Sequence, residues 1–184
     1  LGTFENPEEV NRIVTDHVSS LHLVCTASGV EFLKREGFGP TVHLVGDPMY
    51  DAFRYYTGRL DGSELKEIVD FDGKPVTLPD EFYYMTCHRQ ENTDTDEKLR
   101  NIFDAVEALD APTVYPVHPR NHDRAARLVR EGGYEKLILT RPVGYQTSIS
   151  LVNHAKKIVT DSGGLQREAF FAGKPCRERT AFFQ

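Results

Sequence analysis

Short apolar runs alternate with amphipathic stretches along most of the chain, and this alternation constrains the fold more than any other feature. It is the rhythm of an α/β protein built on a mainly parallel sheet, each crossover packing a helix back onto the strands. In the second half, residues 82–86, 113–117, 137–139 and 157–160 read as strands. Between them, Asp94 or Thr95 can cap a helix whose Leu99, Ile102, Phe103, Val106 and Leu109 form one apolar stripe. Asn121 can cap another carrying Ala125, Leu128 and Val129, Ile149 and Val152 lie inward on a third, and a last helix runs through Ala172. In the first part, Pro7-Glu8-Glu9 opens a helix with Val10, Ile13, Val14, Val18 and Leu21 at helical spacing. A strand at 21–25, a helix with Val30 and Leu33 inward that stops at Gly37, and a strand at 42–45 follow.

Residues 53–80 change character: they are polar, carry Gly58, Gly62, Gly73, Pro75 and Pro79, and show little periodicity beyond a short helix near 64–69. They read as an inter-domain connection between a domain at 1–52 and another at 81–184. With 39% hydrophobic and 27% charged residues the chain has the make-up of a packed protein rather than a disordered or fibrous one. No apolar run approaches the roughly 20 residues of a membrane helix. A net charge of −6 supplies no field to draw nucleic acid or an anionic membrane, so a phosphate-bearing ligand would need a local site. Cys25, Cys87 and Cys176 are odd in number, far apart and in apolar settings, as expected of buried reduced thiols in a cytoplasmic protein. The start at Leu1, without Met or a visible signal peptide, places the expected N-terminus upstream.

In an open parallel sheet, ligands bind beyond the carboxyl ends of the strands. Three such turns are unusually polar: Cys87-His88-Arg89-Gln90-Glu91-Asn92, His118-Pro119-Arg120-Asn121 and Asp161-Ser162-Gly163-Gly164. The third can hold a phosphate, since paired glycines admit a ligand to the backbone and a helix start offers free N–H groups and its positive dipole end. Ser162 adds a hydroxyl, and Glu168, further along, could accept from ribose hydroxyls. A tight turn needing glycine only for packing explains the same string. His88 beside Arg89 can donate to a phosphate or exchange protons, or be a loop histidine bonded to a carbonyl; His118 and Arg120 admit the same two readings. His88, His118 and His154 match no zinc spacing, and no acid-rich loop suggests calcium or magnesium. Glu8 and Glu9 are explained on physics alone as first-turn helix acids.

Taken together and in order, several strings resemble the non-hydrolysing UDP-N-acetylglucosamine 2-epimerases. They are Pro7-Glu8-Glu9-Val10-Asn11-Arg12, Gly46-Asp47-Pro48-Met49-Tyr50-Asp51-Ala52, His88-Arg89-Gln90-Glu91-Asn92, Tyr115-Pro116-Val117-His118-Pro119, and the segment from Thr160-Asp161-Ser162-Gly163-Gly164 through Gln166 and Glu168. The resemblance implies an α/β chain of Rossmann-like parallel sheets in a two-domain GT-B-like architecture. It further implies interconversion of UDP-GlcNAc and UDP-ManNAc with neither NAD nor metal, and a homodimeric parent enzyme. Carried over by motif, Glu8 becomes an active-site carboxylate and His88 the group assisting departure and return of UDP. Ser162, Gly163 and Gly164 become the phosphate site and Glu168 the ribose contact, while Arg12, Arg89 and His118 line the same cleft. The family's first strand, with its basic loop, and two acidic motifs would lie upstream of Leu1. The segment after Cys176 departs from the pattern, so the chain reads as incomplete at both ends. A hydrolysing relative releasing ManNAc and UDP, or a UDP-binding remnant without turnover, remain open beside the epimerase reading.

Overall fold

The computed structural model describes residues 7–178 and divides into two compact units, Leu1–Asp51 and Ala52–Gln184. The first contains α1 (Pro7–Val18), β1 (His22–Val24), α2 (Ala27–Arg35), a 3-10 turn at Gly39–Thr41, β2 (Val42–Leu44) and the start of α3 (Pro48–Thr57). β1 and β2 pair in parallel, His22 opposite Val42. Thr26 caps α2 by accepting from the Gly29 N–H at 3.1 Å, and Gly37 follows that helix with φ +98°, as its place at the helix stop predicts. Among the described residues of this unit only His22 is buried; its ring bridges the Thr41 hydroxyl and the Asp16 carbonyl, each at 2.8 Å. The apolar stripe expected to face inward from α1 is instead open: Ile13, Val14 and Val18 are exposed, with Leu21, Leu23, Leu44 and Val45. Two short strands present too narrow a face to bury two helices.

The second unit holds β3 (Tyr83–Thr86), α4 (Gln90–Thr93), α5 (Asp96–Glu107), β4 (Thr113–Pro116), α6 (His122–Gly132), β5 (Leu137–Thr140), α7 (Tyr145–His154), β6 (Lys157–Thr160), α8 (Gly163–Phe171) and β7 (Cys176–Glu178). Among the described residues its five strands are all parallel, in the order β5-β4-β3-β6-β7. Successive strand residues go to opposite faces, as the period of two requires. Tyr84, Val114 and Ile158 enter one apolar cluster with Ile149, Val152, Leu165 and Ala169 of α7 and α8. Met85, Tyr115 and Val159 enter another with Leu99, Ile102 and Phe103 of α5 and Leu128 of α6. Helices thus cover both faces, the Rossmann-like layering that the alternation predicts.

Several expectations need correction. The segment 53–80 does not stand apart as a connection: Phe53 and Ile68 are buried in the first of these clusters, and Tyr56, Leu60, Leu65, Val76 and Leu78 pack against it. Beyond the end of α3 at Thr57, its apolar residues follow no period, because the one further helical turn described there is the 3-10 turn Ser63–Glu67. Cys25 and Cys176 are exposed, leaving Cys87 as the buried thiol. Thr95 does cap α5, accepting from the Lys98 N–H at 3.3 Å, whereas Asn121 makes no capping bond to α6. The 3-10 turn Pro119–Asn121 intervenes there, and His118 caps it. β7 has no apolar signature and exists as an edge strand, Cys176 opposite Ile158.

The strand order decides where a ligand can enter. β3 comes first in this sheet; the chain winds outward from it through β4 to β5, then returns to its other side for β6 and β7. The winding reverses between β3 and β6, and at such a reversal the two following crossovers diverge and leave a crevice beyond the carboxyl ends.

Candidate functional site

At that crevice the chain leaves β3 through Cys87, His88 and Arg89, whose backbone N–H groups have passed the end of the strand and need other acceptors. The Asp161 carboxylate, at the end of neighbouring β6, provides them. It accepts from His88 N at 3.0 Å, from Arg89 N at 2.9 Å and from the Asn92 side-chain amide at 2.9 Å. His88 Nδ1 lies 3.2 Å from the other carboxylate oxygen. Asp161 is only 4% exposed. Burial pushes its carboxyl up, but the Asn92 amide, the Arg89 N–H and the facing His88 outweigh that and hold it below the ordinary carboxylate value. Just inside, the hydroxyls of Thr86 and Thr160 meet at 2.6 Å and tie the two strand ends together.

The turn after β4 joins the same cluster. The Arg120 guanidinium donates to the His88 carbonyl at 2.7 Å, and buried Tyr115 donates its hydroxyl to the Cys87 carbonyl at 2.8 Å. His118 Nδ1 accepts from the Arg120 N–H at 3.3 Å. The structure therefore assembles His88, Arg89, His118 and Ser162 from three turns far apart in sequence. The exposed Arg89 side chain lies 3.5 Å from Glu91.

At the start of α8, Ser162 accepts from the Leu165 N–H at 3.4 Å, a capping bond that leaves its own hydroxyl proton available. A Cβ built on Gly163 would meet nothing within 4 Å, so packing does not require glycine at that position. Two turns along, Glu168 is 5% exposed, and burial raises its carboxyl above the ordinary value while a hydrogen bond with Tyr145 opposes the rise. The protonated form is thus favoured by folding. That contribution is complete below the unfolded-chain pKa and is lost as pH rises through the folded one, so ionised Glu168 weighs against the fold at neutral pH. Glu168→Gln, which keeps the shape without the charge, is expected to match the wild type in melting temperature near pH 4. At pH 7–8 it should exceed it by about 2–4 °C for each kcal/mol relieved. Thermal melts across this range check it; a gap that does not widen with pH would show that the carboxyl is not held up.

In the first unit, Arg12 is exposed and pairs with Glu9 at 2.8 Å, one turn away on α1, a surface pair of small energetic weight. Glu8 sits in the first turn of α1, and its side chain lies outside the described residues. Among the described residues no group of three or more histidine, cysteine or acidic side chains could hold a metal, and no helix is long and apolar enough to cross a membrane.

Sequence reasoning gave no role to three residues of this network, namely Asp161, Asn92 and Tyr145. Asp161 was visible as a turn acid, but its partners lie 69 to 73 residues upstream. Only pairing β6 directly against β3 brings them together.

The chain is similar to known proteins along nearly its whole length. A model of the UDP-N-acetylglucosamine 2-epimerase family matches residues 3–180. A UDP-N-acetylglucosamine 2-epimerase homolog of Methanococcus maripaludis is 38% identical over 173 residues, covering 92% of this chain and 47% of the relative. The UDP-2,3-diacetamido-2,3-dideoxy-D-glucuronate 2-epimerase of Pseudomonas aeruginosa is 37% identical, covering 92% of this chain and 46% of its own length. Among solved structures, the UDP-GlcNAc 2-epimerase of Methanocaldococcus jannaschii in complex with UDP-GlcNAc and UDP superposes with a TM-score of 0.71 at 29% identity. That match covers 95% of this chain and 49% of that one. The chain spans about half the length of the relatives it matches. With its Rossmann-like α/β fold and its ordered motifs, it belongs to the UDP-N-acetylglucosamine 2-epimerase family.

Proposed function

We propose that the second unit binds the UDP moiety of a nucleotide sugar, as the UDP-binding part of a non-hydrolysing UDP-N-acetylglucosamine 2-epimerase. One observation carries this reading: Asp161 draws the turn after β3 against the start of α8 at the winding reversal of the sheet. The N–H groups of Gly163 and Gly164, with the Ser162 hydroxyl, would take the diphosphate, where the helix dipole favours negative charge. Glu168 would accept from the ribose hydroxyls, and Arg89 and His118 would line the approach. In the reaction, the C2 proton is removed and the C1–O bond breaks with its electrons leaving on UDP, which gives 2-acetamidoglucal. Return of the proton to the other face and re-addition of UDP yield the epimer. His88 would stabilise the charge that grows on the departing phosphate and release it on return. By its motif alone, Glu8 would supply a carboxylate for the C2 chemistry, with Arg12 as a further substrate contact. A homodimer is part of the same proposal.

Two relatives of nearly equal identity are named for different sugars, so the shared nucleotide is the firmer part of the substrate and the sugar substituents the looser part. Calorimetry of the 184-residue chain with UDP is expected to show saturable binding that ADP does not reproduce; no binding would overturn the reading. Incubation with UDP-GlcNAc then sorts the chemistry. UDP-ManNAc marks the epimerase and free ManNAc with UDP a hydrolysing enzyme, whereas binding without product marks a chain that holds UDP but does not turn it over.

A further inference from the structure

His88 has two ring nitrogens, and which of them carries the proton decides what it can do to a ligand. Asp161 settles this. An ionised carboxylate only accepts hydrogen bonds, and it has room for about four donors. Three are fixed: the His88 and Arg89 N–H groups and the Asn92 amide. The fourth group near it is His88 Nδ1, 3.2 Å from Oδ1. An unprotonated Nδ1 would bring its partial negative charge within 3.2 Å of a carboxylate that is 4% exposed, where solvent screens little of the repulsion. A proton on Nδ1 turns the same contact into attraction. The His88 side chain is itself half exposed.

We infer that Asp161 is a positioning residue that holds His88 with its proton on Nδ1, leaving Nε2 as the nitrogen that meets the ligand. This rests on the UDP-binding reading for what the ligand is, but not for the tautomer. In the neutral ring, Nε2 offers a lone pair; in the charged ring, it offers N–H to a phosphate oxygen. When the C1–O bond breaks, the Nε2 proton is shared with or passed to the leaving phosphate, and it returns to Nε2 as UDP adds back. The same residue immediately precedes Ser162, the cap of α8.

Long-range proton–nitrogen correlation on the nitrogen-15-labelled chain tests this without reference to activity. His88 signals are assigned by their loss in His88→Gln. Above the imidazole titration range, the wild type is expected to show a protonated Nδ1 and an unprotonated Nε2, the reverse of the form preferred by histidine free in water. Saturating UDP should move the Nε2 resonance more than Nδ1. In Asp161→Asn, with the fold checked by circular dichroism, the Nε2-protonated form should gain population. A wild-type ring protonated on Nε2 overturns the inference, as does a folded Asp161→Asn chain that keeps the wild-type tautomer. If the variant does not fold, the wild-type spectrum alone decides. A chain that binds no UDP but carries the proton on Nδ1 defeats the functional reading and leaves this one standing; UDP binding with the opposite tautomer does the reverse.

Discussion

In a full-length family member, alanine at the position equivalent to His88 is expected to lower the rate of UDP-ManNAc formation by about a hundred- to ten-thousand-fold, the usual effect of losing a general acid or base. The fold should hardly notice. The His88 contacts that bind the turns together are made by its backbone: its N–H donates to Asp161 and its carbonyl accepts from Arg120, and alanine retains both. The side chain is half exposed and outside the apolar clusters. Rate and melting temperature should therefore part company. A variant with parental rates would remove His88 from the mechanism, and one that loses rate only in step with stability would make it a structural residue.

The opposite pattern is expected at Asp161. Asp161→Ala leaves the His88 and Arg89 N–H groups and the Asn92 amide without their shared acceptor. Each of these part-buried bonds to a charged acceptor contributes about 1 kcal/mol net, so the variant should lose about 3 kcal/mol. In a chain of this size, that corresponds to a melting temperature lower by about 6–12 °C. UDP affinity should fall with it, since the turn after β3 and the start of α8 lose their common anchor. The pH dependence gives an independent check. The Asp161 carboxyl is held below its ordinary value in the fold, so its contribution is present above the unfolded pKa of about 4 and is lost as pH falls through the folded one. The gap between wild type and variant should shrink on acidification below about pH 4. Thermal melts of the two chains between pH 3 and pH 7 measure it; a variant that melts within a degree or two of the wild type at neutral pH would show that the clamp bears no weight.

The parts of this molecule that were legible in the sequence are those written in local periodicity and turn chemistry. Strands β3, β4, β5 and β6, the stripe of α5 with its Thr95 cap and the three polar turns all rest on residues within a few positions of each other. The parts that were not legible depend on partners distant along the chain. β7 is a strand only because β6 offers it an edge, and 53–80 lies on the core because that face of the sheet needs cover, not because its own residues repeat. In α1 the local signal was correct and the inference from it failed: a helical stripe states that a face is apolar, not that something covers it. Within the candidate site, the motifs named His88, Ser162 and Glu168. The clamp that sets their geometry could only be seen once β6 was known to lie against β3.

The open surroundings of Gly163 carry a consequence for anyone engineering this chain. Alanine at a helical position that tolerates it commonly stabilises a protein by about 0.4–1 kcal/mol, chiefly by narrowing what the unfolded chain can explore. Nothing within 4 Å of Gly163 would resist that exchange. A selection that rewards only heat resistance would therefore favour alanine here. It would place a methyl group where the proposed diphosphate needs bare backbone. The better folder would be the poorer binder, and no melting curve would reveal the loss.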